Sequence, residues 1–378
     1  MTLWTERFDA LHAAASAATG RTDFGDPRYH DGLRVLLRAL DANPPATPVA
    51  EASATGLIVG ALAGRLTTEA GWAQNPQALA ERIERPLIVI GLPRTGTTAL
   101  HQLLSQDPQF QGIERWLTGA PMVRPPRDGW EAHPQYQAVV QRIAAMAQAA
   151  PQVVAAHSPH ADDVDECLLP MAQSFVCNWF ASNLDVPDYD AWFRAQDETP
   201  SFERYREVLK LVGLGDSRRW LLKNPSHVFG VEALLNAFPD ACVVQTHRHP
   251  AEAIASLMSL LGGIRDLMNG APIDRAALLA RETSFWAAGA ARSIAAQDRH
   301  PGRFVNVMQA EIRQDPLAVV RRIYAHFDIP MSSEAEARFQ AWAAANPPDG
   351  RSGHAYDAVP DAPAIAETFR LYIARYAL

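Results

Sequence analysis

Cysteine is scarce in this 378-residue sequence: Cys167, Cys177 and Cys242 are the only three, with no Cys-x-x-Cys pair and no histidine at zinc-site spacing. A disulfide-built scaffold is thereby excluded, and so is a zinc centre of the usual pattern. An odd, low count points instead to a reducing compartment, where each thiol serves as a small apolar group. Surplus positive charge is also missing. The 34 Lys and Arg stand against 42 Asp and Glu, a formal net charge of −8, whereas a general nucleic-acid binder needs clustered cations to neutralise phosphates. The longest uncharged runs, 143–161 and 167–184, are broken by Gln, Asn, Ser, His and Pro, so neither makes the ~18-residue apolar stretch of a membrane span. The opening MTLWTERFDALHAAASAATG carries Glu6 and Asp9 inside its apolar pattern, unlike the basic-then-apolar layout of a secretory signal. The expectation is a cytoplasmic protein with no membrane span and no nucleic-acid partner.

What is present is a real core. Hydrophobic residues make up 48% and charged residues 20%, ordinary for a globular chain, and the length suits one large α/β domain or a core with an appended subdomain. Residues 1 to about 80 read as helical, with Leu33, Leu36, Leu37 and Leu40 at helical spacing and a turn at Pro44, Pro45 and Pro48. Pro86-Leu-Ile-Val-Ile-Gly91 is a short, continuous, branched apolar run of the kind that forms a central parallel strand buried on both faces. Further strands are expected at 220–223, 241–246 and 304–308, with helices at 228–238, 316–327 and 364–378. Strands alternating with helices predict an α/β fold, a P-loop-type parallel sheet flanked by helices. The domain expectation is a helical N-terminal extension over 1–82 packed on an α/β domain over 83–378, with a helical acceptor-site insertion at about 115–215. That insertion is rich in aromatics: Trp116, Trp130, Phe175, Trp179, Phe180, Trp192 and Phe193. They serve either as core or as the wall of an acceptor pocket, and periodicity does not separate the two.

The chemistry concentrates in a few turns. Gly91-Leu-Pro-Arg-Thr-Gly-Thr-Thr98 leaves the first strand and opens a helix, and a helix N-terminus with its free N–H groups is a ready anion site. Gly91 and Gly96 permit the sharp turn, Thr97 and Thr98 add hydroxyls, and Arg94 offers a planar cationic fork. The frame is that of the triphosphate P-loop, G-x-x-x-x-G-K-[ST], except that Thr97 stands where the lysine belongs. A Walker-type kinase or NTPase is demoted by that difference. Farther on, Arg248 ends a strand in Thr246-His-Arg-His-Pro, and Ser256 follows eight residues later, about two turns into the next helix.

Together these stretches resemble the sulfotransferases that use 3′-phosphoadenosine 5′-phosphosulfate (PAPS), over about residues 86 to 345. PRTGTT is similar to the family's 5′-phosphosulfate loop, whose cytosolic members carry Lys in place of Arg. The resemblance implies that Arg94, Thr95, Gly96, Thr97 and Thr98 hold the 5′-phosphosulfate. It likewise implies that Arg248 and Ser256 hold the 3′-phosphate, although His249 stands where the family often has Asp. Lys223, in Leu-Leu-Lys-Asn-Pro, resembles the lysine that supports the departing phosphate, and Glu114, two residues after Gly112, resembles the catalytic Glu of the tyrosylprotein enzymes. Arg351-Ser-Gly-His-Ala-Tyr356 looks like a basic loop that closes over the nucleotide, making Arg351 and Gly353 implied ligands.

The implied reaction is direct in-line transfer to an alcohol, phenol or sugar hydroxyl, with 3′-phosphoadenosine 5′-phosphate (PAP) as product and no metal. Arg94, Lys223 and Glu114 would carry it. Two competitors for the base remain: His227, and the acidic cluster Asp162, Asp163, Asp165 and Glu166, which reads otherwise as a helix N-terminus or solvated face. Two rival functions remain as well, a divergent P-loop kinase or NTPase and a non-catalytic PAPS- or PAP-binding protein.

Overall fold

Leu87–Gly91 has no polar interruption, and all five residues are buried, which is possible only where strands pair on both edges and helices cover both faces. In the computed structural model, which describes residues 2–149, 159–347 and 361–378, this segment is β1, the middle strand of the sheet. Phe110–Gln111 forms β2, Arg219–Lys223 β3, Cys242–His247 β4 and Phe304–Met308 β5, in the order β2-β3-β1-β4-β5 with every pairing parallel. The α/β expectation holds. The two-residue β2 was not anticipated, because it is defined by pairing with Arg219 and Trp220 rather than by any periodicity of its own. Val89 lies opposite Lys223 and Gly91 opposite Thr246. The register therefore brings the C-terminal ends of β1, β3 and β4 to one edge, where ligands of open α/β sheets bind.

The chain divides into two compact units: 1–82, 113–217 and 263–273 form the first, and 83–112, 218–262 and 274–378 the second. In the second unit, one face of the sheet is sealed by a cluster that includes Leu87, Val89, Leu100, Leu104, Val244, Val307 and Ile323. Leu100 and Leu104 come from the helix Thr97–Leu104 that follows β1. The anticipated C-terminal helix is two helices, Ala362–Thr368 and Arg370–Tyr376.

The first unit is helical. Its longest element, Pro48–Gln74, is capped by the Thr47 side chain, which accepts from the Ala50 backbone N–H, with Pro at the first turn. Among the described residues it is the one helix long and apolar enough to cross a membrane by length and composition. Glu51, Arg65 and Glu69 interrupt the run, which is why the sequence offers no long uncharged stretch there. Arg65 is buried and donates to the carbonyls of Phe24, Asp26 and Gln173, a geometry of helix packed against protein. Most of the aromatics of the insertion are also core. Trp116, Phe175, Phe180 and Phe193 are almost fully buried, and Phe180 stacks on Phe175 with ring centroids 5.0 Å apart. Only Trp179 and Trp192 stay half-buried.

Three histidines of the second unit are buried and held neutral. Burial pushes His101 and His227 down to about 3, and His247 to about 4 against the opposing hydrogen bond that His247 Nε2 makes to the accepting Asn306 Oδ1. His247 also meets the Tyr372 hydroxyl at 2.8 Å. Since the unfolded chain takes up these protons near the ordinary value of about 6.5, their stabilising contribution is complete above that pH. It is lost as pH falls toward 4 and below, at up to about 1.4 kcal/mol per histidine per pH unit. Urea unfolding from about pH 7.5 to about pH 5 is expected to give steadily lower stability, with a shallower slope for His247→Gln. A flat profile would contradict this account of the buried imidazoles.

Candidate active site

The turn after β1 is built for close backbone approach. Gly91 has φ 145°, and a Cβ there would sit 2.6 Å from both the carbonyl oxygen and Oγ1 of Thr246, so only glycine lets β1 and β4 run this close. Arg94 takes the left-handed region at φ 66° and Gly96 follows at φ 93°. A non-glycine residue in that region is strained and needs its surroundings to hold it. Thr95 does part of this. Its fully buried hydroxyl donates to the Leu92 carbonyl at 2.6 Å and pairs with Thr246 Oγ1 at 2.6 Å. The Thr95 side chain thus closes the loop from within, and what the residue turns outward is backbone. The helix Thr97–Leu104 starts at Gly96, which has no side chain to cap it, leaving first-turn N–H groups for an anion. Thr97 is buried and Thr98 exposed.

Arg94 is the meeting point of the two predicted anion sites. Its Nε donates to Ser256 Oγ at 2.9 Å, and its carbonyl accepts from Arg248 Nη1 at 3.4 Å and from Gln309 Nε2 at 3.2 Å. Arg248 Nε is steadied by Glu252 Oε2 at 2.9 Å, one helical turn away. Arg94, Arg248 and Ser256, far apart in the chain, are therefore brought together at the ends of β1 and β4. Gln309 and Thr246 were not foreseen. Gln309 directly follows β5, so its one sequence signal was its place at the C-terminal end of a parallel strand.

Lys223 ends β3 and is only 3% exposed, with its ammonium donating to Thr98 Oγ1 at 3.3 Å. Asn224 continues as the cap of a short turn, its Oδ1 accepting from the Ser226 N–H and hydroxyl at 3.0 and 2.9 Å. Those bonds fix the amide orientation, and Nδ2 is left buried without a partner among the described residues. A buried donor that lacks an acceptor is costly, on the order of 1–3 kcal/mol, and suits a site that receives oxyanions.

Glu114 belongs to the first unit. It precedes the short helix Arg115–Thr118 in extended conformation and is bridged to Val164. Its Oε2 accepts from Arg124 Nε at 3.0 Å, and Arg124 Nη1 reaches Asp216 at 3.1 Å. One largely buried guanidinium thus spans two carboxylates, a fixed geometry that sequence spacing could not disclose. Of the competitors for the base, His227 is buried and pushed down to about 3 by that burial, a weak proton acceptor. In the acidic cluster, Asp162 pairs with Arg127 at 3.1 Å, Asp165 with Arg115 at 2.9 Å, and Asp163 accepts from the His160 N–H. Arg351 and Gly353 lie outside the described residues.

Residues 86–333 match the model of the sulfotransferase family. The chain belongs to that family, and it is a transferase. Its structure is similar to that of sulfotransferase STF1 from Mycobacterium tuberculosis H37Rv, with 34% identity, a TM-score of 0.86 and coverage of 96% of this chain and 98% of that one. Sulfotransferase STF9 from Mycobacterium avium gives 27% identity and a TM-score of 0.86 over 97% and 96%. The curated omega-hydroxy-beta-dihydromenaquinone-9 sulfotransferase Stf3 of Mycobacterium bovis is 26% identical over 183 residues, 46% of this chain and 45% of its own length. The match thus spans less than half of that relative. The first strand-to-helix turn is constrained by the close approach of Gly91 to Thr246. Gly91→Ala is expected to lower stability by about 3 kcal/mol through the clash and the forced backbone, read by urea unfolding. A change below about 0.5 kcal/mol would mean that β1 and β4 are not held as described.

Proposed function

We propose that this sulfotransferase takes its sulfuryl group from PAPS and passes it directly to an acceptor hydroxyl. The observation that carries the reading is the junction at Arg94, where its guanidinium meets Ser256 and its carbonyl meets Arg248. Two adjoining anion sites suit a nucleotide with phosphate at both its 5′ and 3′ ends. A kinase or NTPase reading is disfavoured because Thr97 is buried where the triphosphate lysine would project. In the proposed assignment Arg94, Gly96, Thr97, Thr98 and the Thr95 backbone take the phosphosulfate. Arg248 and Ser256 take the 3′-phosphate, with Arg351 and Gly353 as further ligands.

The transfer breaks the bond between sulfur and the bridging oxygen of the 5′-phosphate as the acceptor oxygen bonds to sulfur. Glu114 takes the hydroxyl proton. Lys223 and Arg94 support the charge that collects on the departing phosphate. Protonating Glu114 leaves Arg124 still paired with Asp216, so the guanidinium is not stranded. The acceptor is an alcohol, phenol or sugar. The name of the curated relative favours a hydroxyl on a largely apolar molecule, which fits an insertion whose half-buried aromatics are Trp179 and Trp192.

The test is PAP formation from PAPS with a panel of prenyl alcohols, phenols and sugars. Glu114→Gln should lower turnover by roughly 100-fold or more while PAP affinity stays within about twofold. Undiminished turnover would remove Glu114 from its role. Absence of PAP formation with every acceptor, despite tight PAP binding, would favour a non-catalytic nucleotide-binding protein.

A further inference from the structure

His101 is a buried titratable group that the proposed chemistry leaves unused. It lies one turn beyond Thr98 on the helix Thr97–Leu104, so both side chains project from one helix face. On β3, Leu221 and Lys223 likewise share one face of the sheet. The two faces meet: Lys223 Nζ donates to Thr98 Oγ1 at 3.3 Å, and the His101 ring hydrogen-bonds the Leu221 backbone. His101 is 1% exposed, and its Nε2 has no hydrogen-bond partner among the described residues. Burial, and then the charge of Lys223, hold the ring neutral. With the ring hydrogen directed at the Leu221 carbonyl, Nε2 is a bare acceptor.

A buried acceptor without a donor is more costly than an aliphatic side chain of the same shape. Lys223, itself only 3% exposed, is the cation whose field reaches it. We propose that His101 is a positioning residue for Lys223, its Nε2 accepting one ammonium hydrogen as Lys223 turns from the Thr98 hydroxyl toward the sulfuryl group. That turn releases Thr98 to the anion. A carboxylate at this position would hold the lysine but neutralise the charge that the departing phosphate needs; a neutral imidazole holds it without quenching it. The inference rests on the PAPS-dependent reading above.

Calorimetric titration of the full chain with PAPS and with PAP, alongside thermal unfolding, tests it in wild type, His101→Leu and His101→Gln. Wild type is expected to bind both nucleotides; if it binds neither, the donor assignment fails first and this inference with it. His101→Leu should bind PAPS about tenfold more weakly, the scale of one hydrogen bond to a charged group. It should keep PAP affinity within about twofold and a Tm close to wild type, since removing the unpaired Nε2 offsets the lost hydrogen bond to the Leu221 backbone. His101→Gln, which retains an acceptor at similar reach, should recover most of the PAPS affinity. Unchanged PAPS affinity in His101→Leu would overturn the proposal. So would a parallel loss of both nucleotides with a lowered Tm, which marks a packing role only, or a Gln variant as weak as Leu.

Discussion

The close approach of β1 and β4 at Gly91 and Thr246 is the constraint on which the rest of the site depends. A single Cβ at Gly91 would sit 2.6 Å from the Thr246 carbonyl oxygen. Because that atom is missing, the turns leaving the two strands start side by side, and the buried Thr95–Thr246 hydroxyl pair ties them. From that tie follow the left-handed backbone of Arg94, its donation to Ser256 and the reach of Arg248 to its carbonyl. Each link is local and modest in energy. Together they hold a strained residue in place, which is how a loop is preorganised for an anion.

Behind the anion edge the second unit keeps its ionisable groups neutral or paired. His247 is sandwiched between Tyr372, Asn306 and the ring of Tyr376, and it immediately precedes Arg248. The neighbouring Gln245, Ser293 and Gln297 form a buried hydrogen-bonded network that reaches out to the exposed Asn306. Such a network is favourable only when satisfied and intolerant of displacement, a suitable footing for a strand end that must present a guanidinium at a defined point. Lys223 is different in kind: a buried cation that makes sense where an anion is to arrive.

Much of the fold was legible because a buried parallel strand is written as an apolar run, unbroken in β1 and shorter or interrupted in Trp220–Leu222 of β3, Cys242–Val244 of β4 and Phe304–Met308 of β5, where Asn306 intervenes. β2 does not, since Phe110 and Gln111 become a strand only by pairing with Arg219 and Trp220. The anion loop was readable from its glycines and hydroxyls, but the division of labour within it was not. That the Thr95 hydroxyl faces inward depends on Thr246, a residue 151 positions away. The same holds for the pairing of Glu114 with Arg124 and Asp216, and for Gln309. The aromatics of the insertion carried no sign of their side, and most of them are core. The helix Pro48–Gln74 hid its length behind Arg65, a buried charge whose donors the fold satisfies with carbonyls.

The account stands on a nucleotide held at both its ends, and the most direct measurement compares the affinities of PAP, adenosine 5′-phosphate and ATP with Mg²⁺ for the wild-type chain and for Arg248→Ala. The prediction is that PAP binds at least roughly 100-fold tighter than adenosine 5′-phosphate, the scale of a buried charge-assisted contact. ATP should bind weakly, and Arg248→Ala should erase most of the advantage of PAP. If ATP with Mg²⁺ binds tightly and the 3′-phosphate adds nothing, the two-anchor site is wrong and so is the donor assigned to it.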